Sequence, residues 1–201
     1  SIDKYILSGD VEGEVFCPRF TFHGFRYIEI SGVENAPGLA DVQGIQLSSV
    51  PEITGKIETS DKLLNRFIEN VRWSMLCNFI SIPTDCPQRN ERMGWAGDTH
   101  VFCRTATYEA DTRLFYLRYL DDFRDLQEED GRLPNIAPIG GGFGGITYES
   151  AMIIMVWELY QQYGDIGIVR EYYDSMKKWM AYIRGCKMPG DSFVGPLGDW
   201  L

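Results

Sequence analysis

From Ser60 onward, apolar residues in this chain recur at intervals of three and four. Leu63, Leu64, Phe67, Ile68, Val71, Met75 and Phe79 form one such stripe, the mark of a helix with one face against a core. Ser60 is placed to cap this helix, and Pro83 lies beyond its end. Trp73 falls off the stripe and is expected against the N-terminal part of the chain. Further helical patterns run over 99–109, from an Asp111 cap to Leu126, from Thr147 to Gly164, and from an Asp165 cap to Gly185. In the fourth, Ile153, Ile154, Trp157 and Tyr160 are expected to face the core. In the fifth, Val169, Tyr172, Met176, Trp179, Met180 and Ile183 are. Helices joined by alternately short and long connections predict a fold of helical hairpins, with functional loops at one end.

The first 50 or so residues have a different period. Phe20 and Phe22, then Ile28 and Ile30, alternate with polar positions, with Gly24 as a bulge between them, and Val42 to Leu47 follow a Pro37-Gly38 turn. The expected fold class is therefore mainly α with an N-terminal β segment, divided into residues 1–58 and 59–201. A chain of 201 residues with 44% hydrophobic and 13% aromatic residues can bury a packed core. Its net charge of −10 argues against a nucleic-acid partner. No apolar run approaches the ~20 residues of a membrane span, and the first nine residues alternate instead of forming a signal peptide, so no membrane is expected and a cytoplasmic location is favoured. Five cysteines without a CxxC pair read as reduced thiols, and two histidines leave little room for a metal site. We expect neither metal nor cofactor, and a structural role for His23.

Residues 84–98 hold three carboxylates (Asp85, Glu91, Asp98), two guanidinium groups (Arg89, Arg92) and Trp95. On composition alone, a charged loop rich in Pro and Gly is more often solvated surface. The same mixture nevertheless suits sugar cleavage. A glycosidic oxygen is a poor leaving group until it is protonated, and neighbouring carboxylates raise the pKa of the acid that protonates it. A sugar ring offers hydroxyls to charged groups at its edge and C–H groups to an aromatic plate on its face. Trp95 and Trp200, in loops beside Gly-Asp pairs, are the better aromatic candidates, while Trp157 and Trp179 are expected in the core and Tyr148 is intermediate. Gly140–Gly145 satisfies GxGxxG, but prolines break the strand a dinucleotide site needs. Gly190–Ser192 reads as a turn, and the acids from Asp121 to Asp130 match no calcium-loop spacing.

The run Asp85-Cys-Pro-Gln-Arg-Asn-Glu91-Arg-Met-Gly-Trp-Ala-Gly-Asp98 closely resembles the signature of the bacterial α-L-rhamnosidases, family 78 of the glycoside hydrolases. Pro18–Tyr27 is similar to the strand preceding the catalytic domain in that family, and Gly198–Leu201 to a later segment. The resemblance implies a β-sandwich followed by an (α/α)6 toroid of twelve helices, of which this chain would hold the end of the first and less than half of the second. Together with the absence of an initiator Met, this leads to the expectation of a fragment, inactive on its own. The implied reaction is inverting removal of terminal α-L-rhamnose from a glycoside or polysaccharide, with Glu91 as general acid. Asp85 and Asp98 would accept hydrogen bonds from ring hydroxyls and keep Glu91 protonated, Arg89 would donate to a hydroxyl, and Trp95 and Trp200 would contact the sugar. The family's general base, a Glu in the later half of the barrel, has no matching position here. The rival readings are another hairpin-barrel glycosidase and a non-catalytic carbohydrate-binding or structural fragment. Oligomeric state is not legible.

Overall fold

The computed structural model describes residues 1–142 and 145–186. It is mainly helical: α1 (Lys62–Asn78), α2 (Ala96–Glu109), α3 (Arg113–Asp125), the single turn α4 (Ile146–Glu149), α5 (Ala151–Tyr163) and α6 (Ile166–Gly185). Two short antiparallel ladders lie between them. β1 (Phe79–Ile80) pairs with β2 (Ile82–Pro83), and β3 (Gly94–Trp95) pairs with β4 (Ile136–Ala137), placing Gly94 opposite Ala137 and Trp95 opposite Ile136.

The core lies among α2, α3, α5 and α6. Cys103 and Ala106 of α2, Tyr116, Tyr119, Leu120 and Phe123 of α3, Met152, Met155 and Leu159 of α5, and Tyr172 and Trp179 of α6 are all buried. Each such large apolar side chain contributes roughly 1.5–3 kcal/mol by leaving water. Buried polar tips find partners: Tyr119 Oη donates to Gly94 O at 2.6 Å, and Trp179 Nε1 donates to the buried Glu149 at 2.9 Å. The hinge from α5 to α6 follows the expectation. Gly164 adopts φ +67°, and the Asp165 side chain accepts from Gly167 N at 2.8 Å.

Two helix caps differ by one residue from those read in the sequence. At α1 the cap is Asp61, not Ser60; its Oδ1 accepts from Leu63 N and Leu64 N at 2.7 and 3.2 Å. A carboxylate there also suits the positive end of the helix dipole. At α3 the cap position is Thr112, while Asp111 supports it from outside by accepting from Arg113 N and from Tyr163 Oη.

The faces differ more. α5 buries Ala151, Met152, Met155, Val156 and Leu159, whereas Trp157 is 53% exposed and is not a core residue. This helix is apolar nearly all round, so its period does not select a face; packing on its neighbours does. In α1 the expected stripe is buried only near its end, at Met75, with Phe79 just beyond, while Leu63 and Phe67 are exposed, as is Trp73. Residues 1–47 form no strand and hold one 3-10 turn, Leu39–Asp41, and their large apolar side chains are mostly in solvent. Alternation supplies the two faces of a strand, but a strand forms only where a second edge completes the ladder. Gly24 is accordingly no bulge. Residues 53–55 dock on the end of α2, with Thr54 N and Gly55 N donating to Glu109 O and Arg72 spanning Glu109 Oε2 and Gly55 O.

Candidate functional site

The acidic segment leaves β2 as a loop and returns at β3. Asp85 closes it at both ends: its N–H donates to Met93 O at 3.0 Å, and its Oδ1 accepts from Met93 N at 2.8 Å. Asp85 is therefore an anchor as well as a charge, with its side chain only 7% exposed. Its other oxygen, Oδ2, is buried without a hydrogen bond; Arg89 Nη2 stands 3.5 Å away, close enough for charge attraction only.

Glu91 takes a donor on each oxygen. Trp95 Nε1 donates to Oε1 at 2.8 Å, and Arg89 Nη2 lies 2.5 Å from Oε2. Contact with the Cys86 side chain, then the charge of Glu91, raises the pKa of the Arg89 guanidinium. Donor atoms of Asp85, Cys86 and Glu91 lie within 4.8 Å of one another, a spacing that could hold a metal ion. Arg89, set against two of them, already brings a positive charge to that place.

Trp95 is held by its neighbours. Ala96 N donates to Asn135 O at 2.9 Å, and Thr99 Oγ1 donates to Trp95 O at 2.8 Å. Tyr148 meets the indole edge to face at 5.8 Å. That ring fits because position 97 is glycine; a Cβ there would lie 2.6 Å from the Tyr148 ring. Asp98 occupies the first turn of α2. Partial desolvation raises its pKa first, with repulsion from Asp85 and Glu91 adding to the rise, against the lowering effects of its own amide and His100. Burial lowers the pKa of His100.

Of the residues singled out in the sequence, Asp85, Arg89, Glu91 and Trp95 are joined by direct contacts, and Asp98 is linked to Asp85 and Glu91 through charge. Trp200, the Gly198–Leu201 segment and the Gly190–Ser192 turn lie outside the described residues. Sequence reasoning missed Cys86 and Gly97 as parts of the arrangement and gave no role to Arg92. Their contacts, with Arg89, Tyr148 and Phe22 respectively, form only on folding.

Helical hairpins that gather carboxylates, a guanidinium and an indole in a loop at the head of a helix have the architecture of hairpin-built glycosidase domains. Family models name the group. Residues 52–201 match the bacterial α-L-rhamnosidase six-hairpin glycosidase domain, and residues 1–48 match the concanavalin-like domain of bacterial α-L-rhamnosidases. The chain belongs to the bacterial α-L-rhamnosidase family. It is 38% identical to an α-L-rhamnosidase of Streptomyces avermitilis over 99% of its own length and 19% of that protein's. Among solved structures it is similar to an α-L-rhamnosidase from Dictyoglumus thermophilum, with a TM-score of 0.87 and 38% identity, covering 92% of this chain and 21% of that one. The Streptomyces avermitilis enzyme complexed with L-rhamnose gives a TM-score of 0.69 at 36% identity, covering 76% of this chain and 15% of that one. The chain thus spans about a fifth of the length of the curated relatives it matches.

Proposed function

We propose that these residues carry the acid side of an α-L-rhamnosidase site, and that the full-length protein removes terminal α-L-rhamnose from glycosides or polysaccharides with inversion. The observation that carries this reading is the Glu91 carboxylate held between Trp95 Nε1 and Arg89 Nη2, with Asp85 behind it. Glu91 protonates the glycosidic oxygen. Asp85 Oδ2 offers an acceptor for a ring hydroxyl, since a buried oxygen without a hydrogen bond is stabilised by gaining one. Asp98 accepts from a second hydroxyl, Arg89 turns from Glu91 to a sugar oxygen, and Trp95 covers the apolar face of the ring. The 6-methyl group of rhamnose gains about 0.8 kcal/mol from such burial. The L-rhamnose held by the Streptomyces avermitilis relative supports this choice of sugar.

Inversion requires a second carboxylate roughly 6.5–9.5 Å from the acid to activate water. Asp85 does not suit that role, because one of its carboxylate oxygens lies within 4.8 Å of a Glu91 oxygen and Oδ1 already accepts from Met93 N. We therefore assign the base to a carboxylate outside this cluster, on a part of the protein beyond these residues. A panel of p-nitrophenyl glycosides tests the reading on the full-length protein. Selective release from the α-L-rhamnoside is expected. Selectivity for another sugar would point to a different hairpin glycosidase, and no release from any would favour a non-catalytic role.

A further inference from the structure

Among residues 1–47 every position is exposed except Glu14 and the run Phe22, His23 and Gly24. That run is where the N-terminal segment meets the acidic loop. Gly24 N donates to Pro87 O at 3.0 Å. A Cβ on Gly24 would lie 2.7 Å from the Pro87 carbonyl carbon, a contact with backbone that cannot yield as a flexible side chain could. At the other end of the loop, Arg92 Nη1 donates to Phe22 O at 2.8 Å, and its guanidinium lies 4.5 Å from the centre of the Phe22 ring. Arg92 Nε turns back and donates to Arg89 O at 3.1 Å. One side chain therefore ties the N-terminal segment to the backbone of Arg89.

Arg92 also has φ +50°. A residue with a Cβ holds this left-handed conformation only where its surroundings over-determine it, and such residues gather where geometry matters to function. The reversal falls directly after Glu91. It sets the direction in which the chain passes from Glu91 to Trp95, whose side chains meet at 2.8 Å.

We propose that Phe22–Gly24 and Arg92 form a brace by which the N-terminal segment aims the acid loop, making Arg92 a positioning residue for Arg89 and Glu91. This rests on the reading of Glu91 as general acid. Arg92 touches neither reacting atom; it acts by keeping the loop in register with the leaving-group oxygen. An sub-ångström error there is felt by proton transfer, and least by substrates whose leaving group needs no proton.

The test compares the full-length protein with its Arg92→Ala, Arg92→Lys and Phe22→Leu variants. Lysine keeps the charge but replaces the planar fork, whose Nε and Nη1 serve Arg89 O and Phe22 O separately, with a single nitrogen, and it loses the guanidinium plane over the Phe22 ring. Two readouts are taken: kcat and KM on an alkyl and on a p-nitrophenyl α-L-rhamnoside, and hydrogen exchange of the Asp85 and Met93 amides. For Arg92→Ala we expect kcat on the alkyl rhamnoside to fall about tenfold or more, the activated substrate to lose no more than about threefold, and KM to change little. Lysine should restore little, Phe22→Leu should fall between, and exchange at both amides should accelerate. Equal losses on both substrates, or unchanged exchange in all three variants, would overturn the brace. Wild-type protein inert toward rhamnosides would overturn the functional reading alone, and exchange would still decide whether the brace exists. Should Arg92→Ala fail to fold, the other two variants carry the comparison.

Discussion

Glu91→Gln isolates the proton that the proposed mechanism requires. The amide keeps an oxygen to accept from Trp95 Nε1, now at 2.8 Å, and Asp85 continues to close the loop through Met93. What is lost is the acidic proton and the negative charge facing Arg89. Arg89 is 62% exposed, so the broken ion pair contributes little to folding and the melting temperature should hold. The change in turnover therefore reports chemistry. General acid catalysis contributes about 10²–10⁴-fold, or roughly 3–5 kcal/mol of transition-state stabilisation, when the leaving group is an alkoxide. With p-nitrophenolate, stable without a proton, the loss should be about tenfold or less. The assay is kcat/KM for an alkyl and a p-nitrophenyl α-L-rhamnoside, measured on wild-type and variant full-length protein. Equal losses on the two substrates would remove Glu91 from the acid role.

Trp95→Phe keeps an aromatic plate but removes the N–H donated to Glu91 Oε1; kcat on an alkyl α-L-rhamnoside should fall more than kcat on the p-nitrophenyl one, and an equal effect on both would contradict the coupling. Asp98→Asn removes a carboxyl whose pKa is raised in the fold by desolvation and by Asp85 and Glu91. Since a raised carboxyl favours folding when protonated and loses that advantage as pH rises through its folded pKa, the variant should melt no lower than wild type at pH 7, with any gain disappearing below the ordinary carboxylate range, near pH 4. A clear fall in melting temperature at pH 7 would count against it. Gly97→Ala drives a Cβ to 2.6 Å from the Tyr148 ring, for an overpacking cost of about 1–3 kcal/mol in thermal unfolding. Adding Tyr148→Ala should cancel much of that cost, and strict additivity of the two changes would show that the ring is not the obstacle.

Local chemistry was legible where neighbours in sequence are also neighbours in space. Gly164 and Asp165 mark the end of α5 and the start of α6, and the carboxylates, Arg89 and Trp95 of the acidic loop sit within fifteen positions of one another. Legibility failed where a partner decides. α5 is apolar around its circumference, so only the packing of α2, α3 and α6 shows that Met152 and Leu159 are inside and Trp157 is not. The alternation of the first 47 residues is genuine, but a ladder needs a second edge. The contact of Arg92 with Phe22 spans 70 positions and uses a left-handed backbone at an arginine, which no local preference announces. Asp61 displaced Ser60 as the α1 cap because both are good caps and a one-residue shift brings a carboxylate to two free amides.

In the proposed site Asp85, Arg89, Glu91, Trp95 and Asp98 surround one sugar. This arrangement is tested most directly by soaking L-rhamnose into crystals of the full-length protein. The ring is predicted to lie on Trp95 with hydroxyls within hydrogen-bond distance of Asp85 Oδ2 and Asp98, and with its anomeric oxygen beside Glu91. L-rhamnose seated elsewhere, with the Asp85 and Asp98 carboxylates untouched, would show that these residues do not form the sugar site.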